Sequence, residues 1–115
     1  MSSTFRFLQG VHPFEGEGLE KPVALDAALR YVVPDGARAQ VLYFRGGNSS
    51  PELAVVVLLR GGVPMRYFPV AARGDVHVPL RVVEDVEAGE TLELRVAAPE
   101  GVSGTVVVDL GLVEV

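Results

Sequence analysis

The sequence has no cysteine, no tryptophan, one lysine (Lys21), one asparagine (Asn48) and two histidines (His12 and His77). Without cysteine there is no disulfide, no thiol nucleophile and no cysteine-bound zinc. That composition suits a reducing compartment, though it is compatible with any. Nucleophilic catalysis would have to draw its base from His12 or His77, and neither sits beside a Gly-x-Ser-x-Gly motif. A basic stripe is also missing: the arginines are scattered singly and the net charge is −5. Nucleic acid is therefore excluded as a partner, because neutralising phosphates needs clustered cations. No apolar run approaches the ~20 residues that span a bilayer. The first seven residues lack a basic segment followed by a long apolar one. The expectation is a soluble, cytoplasmic protein with no membrane partner. Scarce amides and absent cysteine fit a thermophilic source, while a GC-rich genome would favour the same arginine bias.

What is present is apolar and extended. Hydrophobic residues make up 49% of 115 residues and charged residues 22%, enough for one ordered domain over residues 1–115. The central run Leu53, Ala54, Val55, Val56, Val57, Leu58, Leu59 is unbroken, short and β-branched, which favours a strand. Because it does not alternate, it should be covered on both faces, by other layers or by a partner. Residues 91–98 do alternate, with Leu92, Leu94 and Val96 inward. So does the last segment, with Val106, Val108, Leu110 and Leu112 on one side and Asp109 and Val113 on the other. Residues 4–9 and 38–45 read as further strands. Residues 65–70 and 75–83 do too, and Pro69 and Pro79 place them at edges or bulges.

Residues 10–18 read as a loop rich in glycine, and residues 46–51 as a second polar loop. Residues 21–33 fit a strand by alternation, with a helical turn near Asp26 as the alternative. Pro34-Asp35-Gly36 is turn chemistry, and Gly61-Gly62 is a hairpin connection. The whole predicts an all-β, antiparallel β-sandwich of about eight strands, jelly-roll-like.

Ser103-Gly104-Thr105-Val106-Val107-Val108-Asp109-Leu110-Gly111-Leu112-Val113-Glu114-Val115 resembles the closing strand of galactose-binding-like and carbohydrate-binding jelly-roll modules. Ala88 to Leu94 is similar to their penultimate strand, and Phe14-Glu15-Gly16 to their opening segment. The resemblance covers about the last quarter of the chain. It implies a jelly-roll fold and a structural calcium held partly by Glu15 and Asp109, carboxylates suiting a hard cation. Such modules usually carry tryptophan or several exposed aromatic residues as sugar platforms, and here tryptophan is absent.

Three functional classes follow. The first is a non-enzymatic binding or assembly module that self-associates through its apolar strands, around residues 53–59 and a second apolar edge at Val113 and Val115. The second is a module for a sugar or other polyhydroxyl ligand. Its candidate residues are Arg45, Asn48 and Ser49 in the glycine-rich stretch, Arg66 and Tyr67, and His77 on an outward strand face, with Tyr43, Tyr67 and Phe68 as a stacking wall. The same residues also fit a plain glycine-rich turn followed by a core aromatic pair. The third class is a small enzyme using His77 or His12, which needs an acid beside the imidazole. His12, Glu15 and Glu17 are too few strong ligands for a transition metal. Glu84, Asp85 and Glu87 read as a solvated acidic turn. No cofactor is expected.

Overall fold

The structure, a computed structural model, describes residues 3–115. Two five-stranded antiparallel sheets pack face to face. The first sheet runs in the order β1 (Thr4–Glu15), β10 (Ser103–Glu114), β4 (Arg38–Asn48) and β7 (Asp75–Pro79). A short β8 (Asp85–Glu87) pairs with the far end of β4. The second runs β2 (Val23–Ala24), β9 (Thr91–Ala97), β5 (Ala54–Arg60) and β6 (Val63–Val70), and β3 (Arg30–Val32) pairs further along β9. This is the all-β sandwich that the alternation predicts. The strands beyond the expected eight are two- or three-residue pieces along the edges.

The core forms where the two alternating strands face each other. Leu92, Leu94 and Val96 of β9 and Val106, Val108, Leu110 and Leu112 of β10 are all buried. Phe44 from one sheet stacks on Phe68 from the other, ring centroids 4.4 Å apart. Fully burying a side chain of this size contributes roughly 1.5–3 kcal/mol. Gly46 makes room for that stack, because a Cβ there would lie 2.5 Å from Phe44 Cζ.

At one end the sheets are clasped by polar groups. Tyr31 of β3 donates its hydroxyl to Glu114 Oε2 at 2.5 Å, and Arg6 Nε donates to the same oxygen at 3.2 Å. Burial, then the bond to Glu114, raises the Tyr31 pKa above its ordinary value. The hydrogen bond from Tyr31, with Arg6 nearby, lowers that of Glu114.

The central run is extended, and Ala54, Val56 and Leu58 enter the core. Val57 and Leu59 are buried on the opposite face as well. Among the described residues no third layer covers them. Their register neighbours do: Tyr67 and Arg95 beside Val57, Pro64 and Glu93 beside Leu59. Long side chains laid over apolar neighbours keep water off while their polar ends remain wet. The burial of Val57 and Leu59 is therefore satisfied within one chain, whereas Val55 is half-buried and Leu53 lies exposed just before the strand.

Several expectations are corrected. The loop over residues 10–18 is strand as far as Glu15, paired residue by residue with β10 from Thr4↔Glu114 to Glu15↔Ser103. Pro13 is tolerated because β1 is an edge strand. Gly46, Gly47 and Asn48 likewise belong to β4 and not to a loop. Residues 21–33 form two short strands around a 3-10 turn at Ala27–Leu29, where the Asp26 side chain accepts from Ala28 N at 2.8 Å. That local bond competes with sheet pairing and breaks the strand. The strand over residues 75–83 stops at Pro79. The second apolar edge is not an edge: β10 lies between β1 and β4, Val113 is buried, and Val115 exchanges backbone hydrogen bonds with Arg38.

Candidate functional site

Four strands side by side bring distant residues into rows on the outer face of the first sheet. One row reads Gln9, Asp109, Arg45, His77. Its residues point outward because their chain neighbours Leu8, Val108, Leu110 and Phe44 fill the core. The row on one side is Phe7, Gly111, Tyr43, Pro79, and on the other Val11, Val107, Gly47, Asp75. A polar row thus runs between two largely apolar ones. Phe7, Val11 and Val107 are exposed by 52%, 65% and 48%.

Asp109 is the fixed point of the polar row. Its carboxylate accepts from the Tyr43 hydroxyl at 3.1 Å and from Arg45 Nη2 at 3.2 Å. Burial, and after it the bond to Asp109, raises the Tyr43 pKa above its ordinary value, so the phenol stays a donor. The Tyr43 ring lies over Gly111, where any Cβ would overlap it. His77 meets the same ring edge-on, with centroids 6.2 Å apart and an interplanar angle of 85°.

Two shallow depressions of about 410 and 470 Å³ lie on this face and share Arg45, Val107 and Asp109. The first extends to Asp75 and His77, the second to Gln9 and Val11. Together they make one open trough across the strands. Gly47 sets its depth, since a Cβ there would meet nothing nearer than Val107 Cβ at 3.9 Å. The glycine pair in β4 thus works on both faces. Gly46 admits a core ring and Gly47 hollows the surface.

Only two of the six candidate ligand residues come together. Arg45 and His77 are register neighbours in the trough. Asn48 is buried in the loop base, where its Nδ2 donates to Glu52 O at 2.8 Å and Val70 O at 3.2 Å, and its Oδ1 accepts from Ser50 N at 2.9 Å. Ser49 Oγ accepts from Thr105 N at 2.8 Å. Arg66 and Tyr67 lie on β6 in the other sheet, and Arg66 is bonded to Met65 O and Glu84. Tyr43 and Tyr67 therefore belong to opposite faces, and Phe68 belongs to the core.

The implied calcium pair is separated as well. Asp109 pairs with Gln9, six residues along β1 from Glu15, or roughly 20 Å at the rise of a strand. Asp109 is also already bonded to Arg45 and Tyr43, so these two acids do not fit one shared ion. Among the described residues no three His, Asp or Glu side chains gather as a metal site. His12 folds back over Gly10, with Nε2 buried and unbonded, and neither histidine bonds an acid among the described residues. Sequence reasoning passed over Gln9, Asp75 and Val107 as parts of a site. Their outward parity was readable, but the register that aligns them was not.

Compared with solved structures, the chain is similar to the CBM36-1 domain of a multidomain xylanase from the hindgut metagenome of Trinervitermes trinervoides. The identity is 15% and the TM-score 0.61, over 97% of this chain and 96% of that one. The likeness is one of fold, and it extends through both sheets. No family model and no curated protein matches the chain.

Proposed function

We propose that this chain is a non-enzymatic binding module that takes a sugar chain or similar polyhydroxyl ligand in the trough on its first sheet. The observation that carries this reading is the polar row Gln9, Asp109, Arg45, His77 between two apolar rows. A sugar ring has that same division, with hydroxyls around its edge and C–H groups on its faces. Asp109 can accept from a hydroxyl, while Arg45 and Gln9 can donate. Tyr43 and Phe7 offer apolar surface with little freedom to lose. Four strands at ~4.8 Å spacing make the row roughly 14 Å long, which suits several linked sugars better than one. The shared fold with a carbohydrate-binding module of a xylanase supports the reading.

The test is affinity electrophoresis and calorimetry against a panel of soluble neutral polysaccharides. We expect at least one to retard the protein, and the Arg45→Ala/His77→Ala double variant to migrate freely. Uniform failure of the panel, or a double variant that binds like the parent, overturns the proposal.

Self-association through β1 is a second reading. The other sheet edges are blunted: β2 and β3 are split by a turn, β7 and β8 are separate short pieces, and β6 carries Pro64 and Pro69. β1 is an unsplit edge of 12 residues whose one proline, Pro13, lies at the end away from Phe5, 60% exposed, and Phe7. Long apolar edges are templates for pairing with another chain. Sedimentation should give a dimer at high concentration, and Phe5→Ser/Phe7→Ser a monomer. A monomer for both removes this reading.

A further inference from the structure

On the opposite side of the sandwich, the outer face of the second sheet holds a separate polar depression of about 400 Å³. It is lined by Arg30, Gly61, Gly62, Thr91, Glu93 and Arg95. Its residues come from two strands and one turn. Arg30 of β3 faces Glu93 of β9 across the pair, and Arg95 lies two residues further along β9 on the same face. Gly61 and Gly62 form the β5–β6 turn, both with positive φ of 59° and 82°. A Cβ on either would meet nothing within 4 Å, so the turn leaves the depression open.

The charges here are unequal. Glu93 accepts from Arg95 Nη2 at 3.2 Å and lies 3.1 Å from its Nε, which holds the Arg95 guanidinium in place over the sheet. Arg30 has no ion pair or side-chain hydrogen bond among the described residues, whereas six other arginines are paired. The depression therefore carries two guanidinium groups against one carboxylate, a local excess of one positive charge on a chain of net charge −5. One of those cations is already oriented by Glu93, and the other is free to turn.

We infer that this depression binds the carboxylate of an acidic sugar. A planar guanidinium donates two parallel hydrogen bonds to a carboxylate, a geometry that ammonium groups do not offer. One excess charge matches a monoanion rather than a phosphate dianion. Thr91 and Gly62 line the depression beside the two arginines and carry neutral hydrogen-bonding groups for the ring hydroxyls of a uronate, while Gly61 N already donates to Thr91 O at 2.9 Å. A neutral sugar lacks the charge that Arg30 answers. A free small carboxylate has the charge but not the hydroxyls. The site shares no residue with the trough and does not depend on it.

The experiment is amide chemical-shift titration of the full chain with glucuronate, glucose and acetate. Glucuronate should move the amides of Gly61, Gly62 and Thr91, acetate should move the same amides with weaker affinity, and glucose should leave them in place. Arg30→Gln, at an exposed position, should weaken glucuronate by at least about tenfold, and added salt should weaken it in the parent. Arg45→Ala on the other face should leave the glucuronate titration unchanged. Equal responses to glucose and glucuronate, no effect of Arg30→Gln, or loss of binding in Arg45→Ala each overturns the inference. Acetate as strong as glucuronate reduces the site to one for any carboxylate and removes the sugar. Failure of the neutral-polysaccharide panel leaves this titration intact, so the two proposals fail separately.

Discussion

The ring of Tyr43 occupies the space that a side chain at position 111 would need, so Gly111 is the seat on which the tyrosine lies. The two are register partners on β4 and β10, and the ladder slips by one residue immediately after Gly111. From that seat the Tyr43 hydroxyl reaches Asp109, two residues along the same strand. Gly111→Ala should therefore lift the ring and break the bond to Asp109. The expected cost is about 1–3 kcal/mol in urea denaturation, as for other overpacked sites. Ligand binding in the trough should weaken along with stability. Unchanged stability and an unchanged Tyr43 titration would contradict the assignment.

Asp109→Asn separates binding from folding. Arg45 is well exposed, so loss of its ion pair should change stability by no more than ~1 kcal/mol. The Tyr43 pKa should fall toward its ordinary 10.0 without reaching it, because burial is the largest cause of its elevation and remains. Near-ultraviolet titration reads this directly. Binding to the trough should weaken about tenfold, or ~1.4 kcal/mol.

Tyr31→Phe tests the clasp between the sheets. Glu114 has a folded pKa below its ordinary 4.5, so its contribution is present above that value and is lost as pH falls through the lowered one. Tyr31 has a raised pKa, so its contribution is present below 10.0 and is lost as pH rises toward the raised value. Tyr31→Phe should flatten both the alkaline and the acid decline in stability, because Tyr31 no longer titrates and the Glu114 pKa returns toward its ordinary value. At neutral pH the cost should be about 1 kcal/mol. An unaltered pH profile by denaturation would exclude the clasp.

Asn48→Asp replaces an amide donor with an anion facing the carbonyls of Glu52 and Val70. Burial of an unpaired charge against acceptors should cost at least about 3 kcal/mol, with Asn48→Ala milder. If Asn48 served the ligand instead, both variants would fold normally and lose binding. Thermal melts beside a binding assay distinguish the two.

Legibility followed the range of each interaction. Strands β5, β9 and β10 could be read because alternation and β-branching are local properties of Val55–Val57, Leu92–Val96 and Val106–Leu112. The end of β1 could not, because Gly10 and Pro13 carry turn signals that a full ladder with β10 overrides. Asp26 is the reverse case: a two-residue bond from its side chain defeats an alternation six positions long. The trough was visible only in parts. Arg45, His77 and Asp109 each had outward parity, but 32 residues separate even the nearest two, and register between strands is set by the packed core. Asn48 misled for a physical reason, since the polar atoms that suit a ligand also suit a buried loop base.

Pairing of Thr4 with Glu114 brings the two ends of the fold to one corner. The polar row begins five steps along β1, at Gln9, roughly 17 Å away. Attachments at either end would leave from the same pole, and the sandwich would hang from it like a pendant. Both of its broad faces would then stay clear of whatever support carries it. A bead or surface coupled through either end should leave the trough as accessible as it is in the free protein.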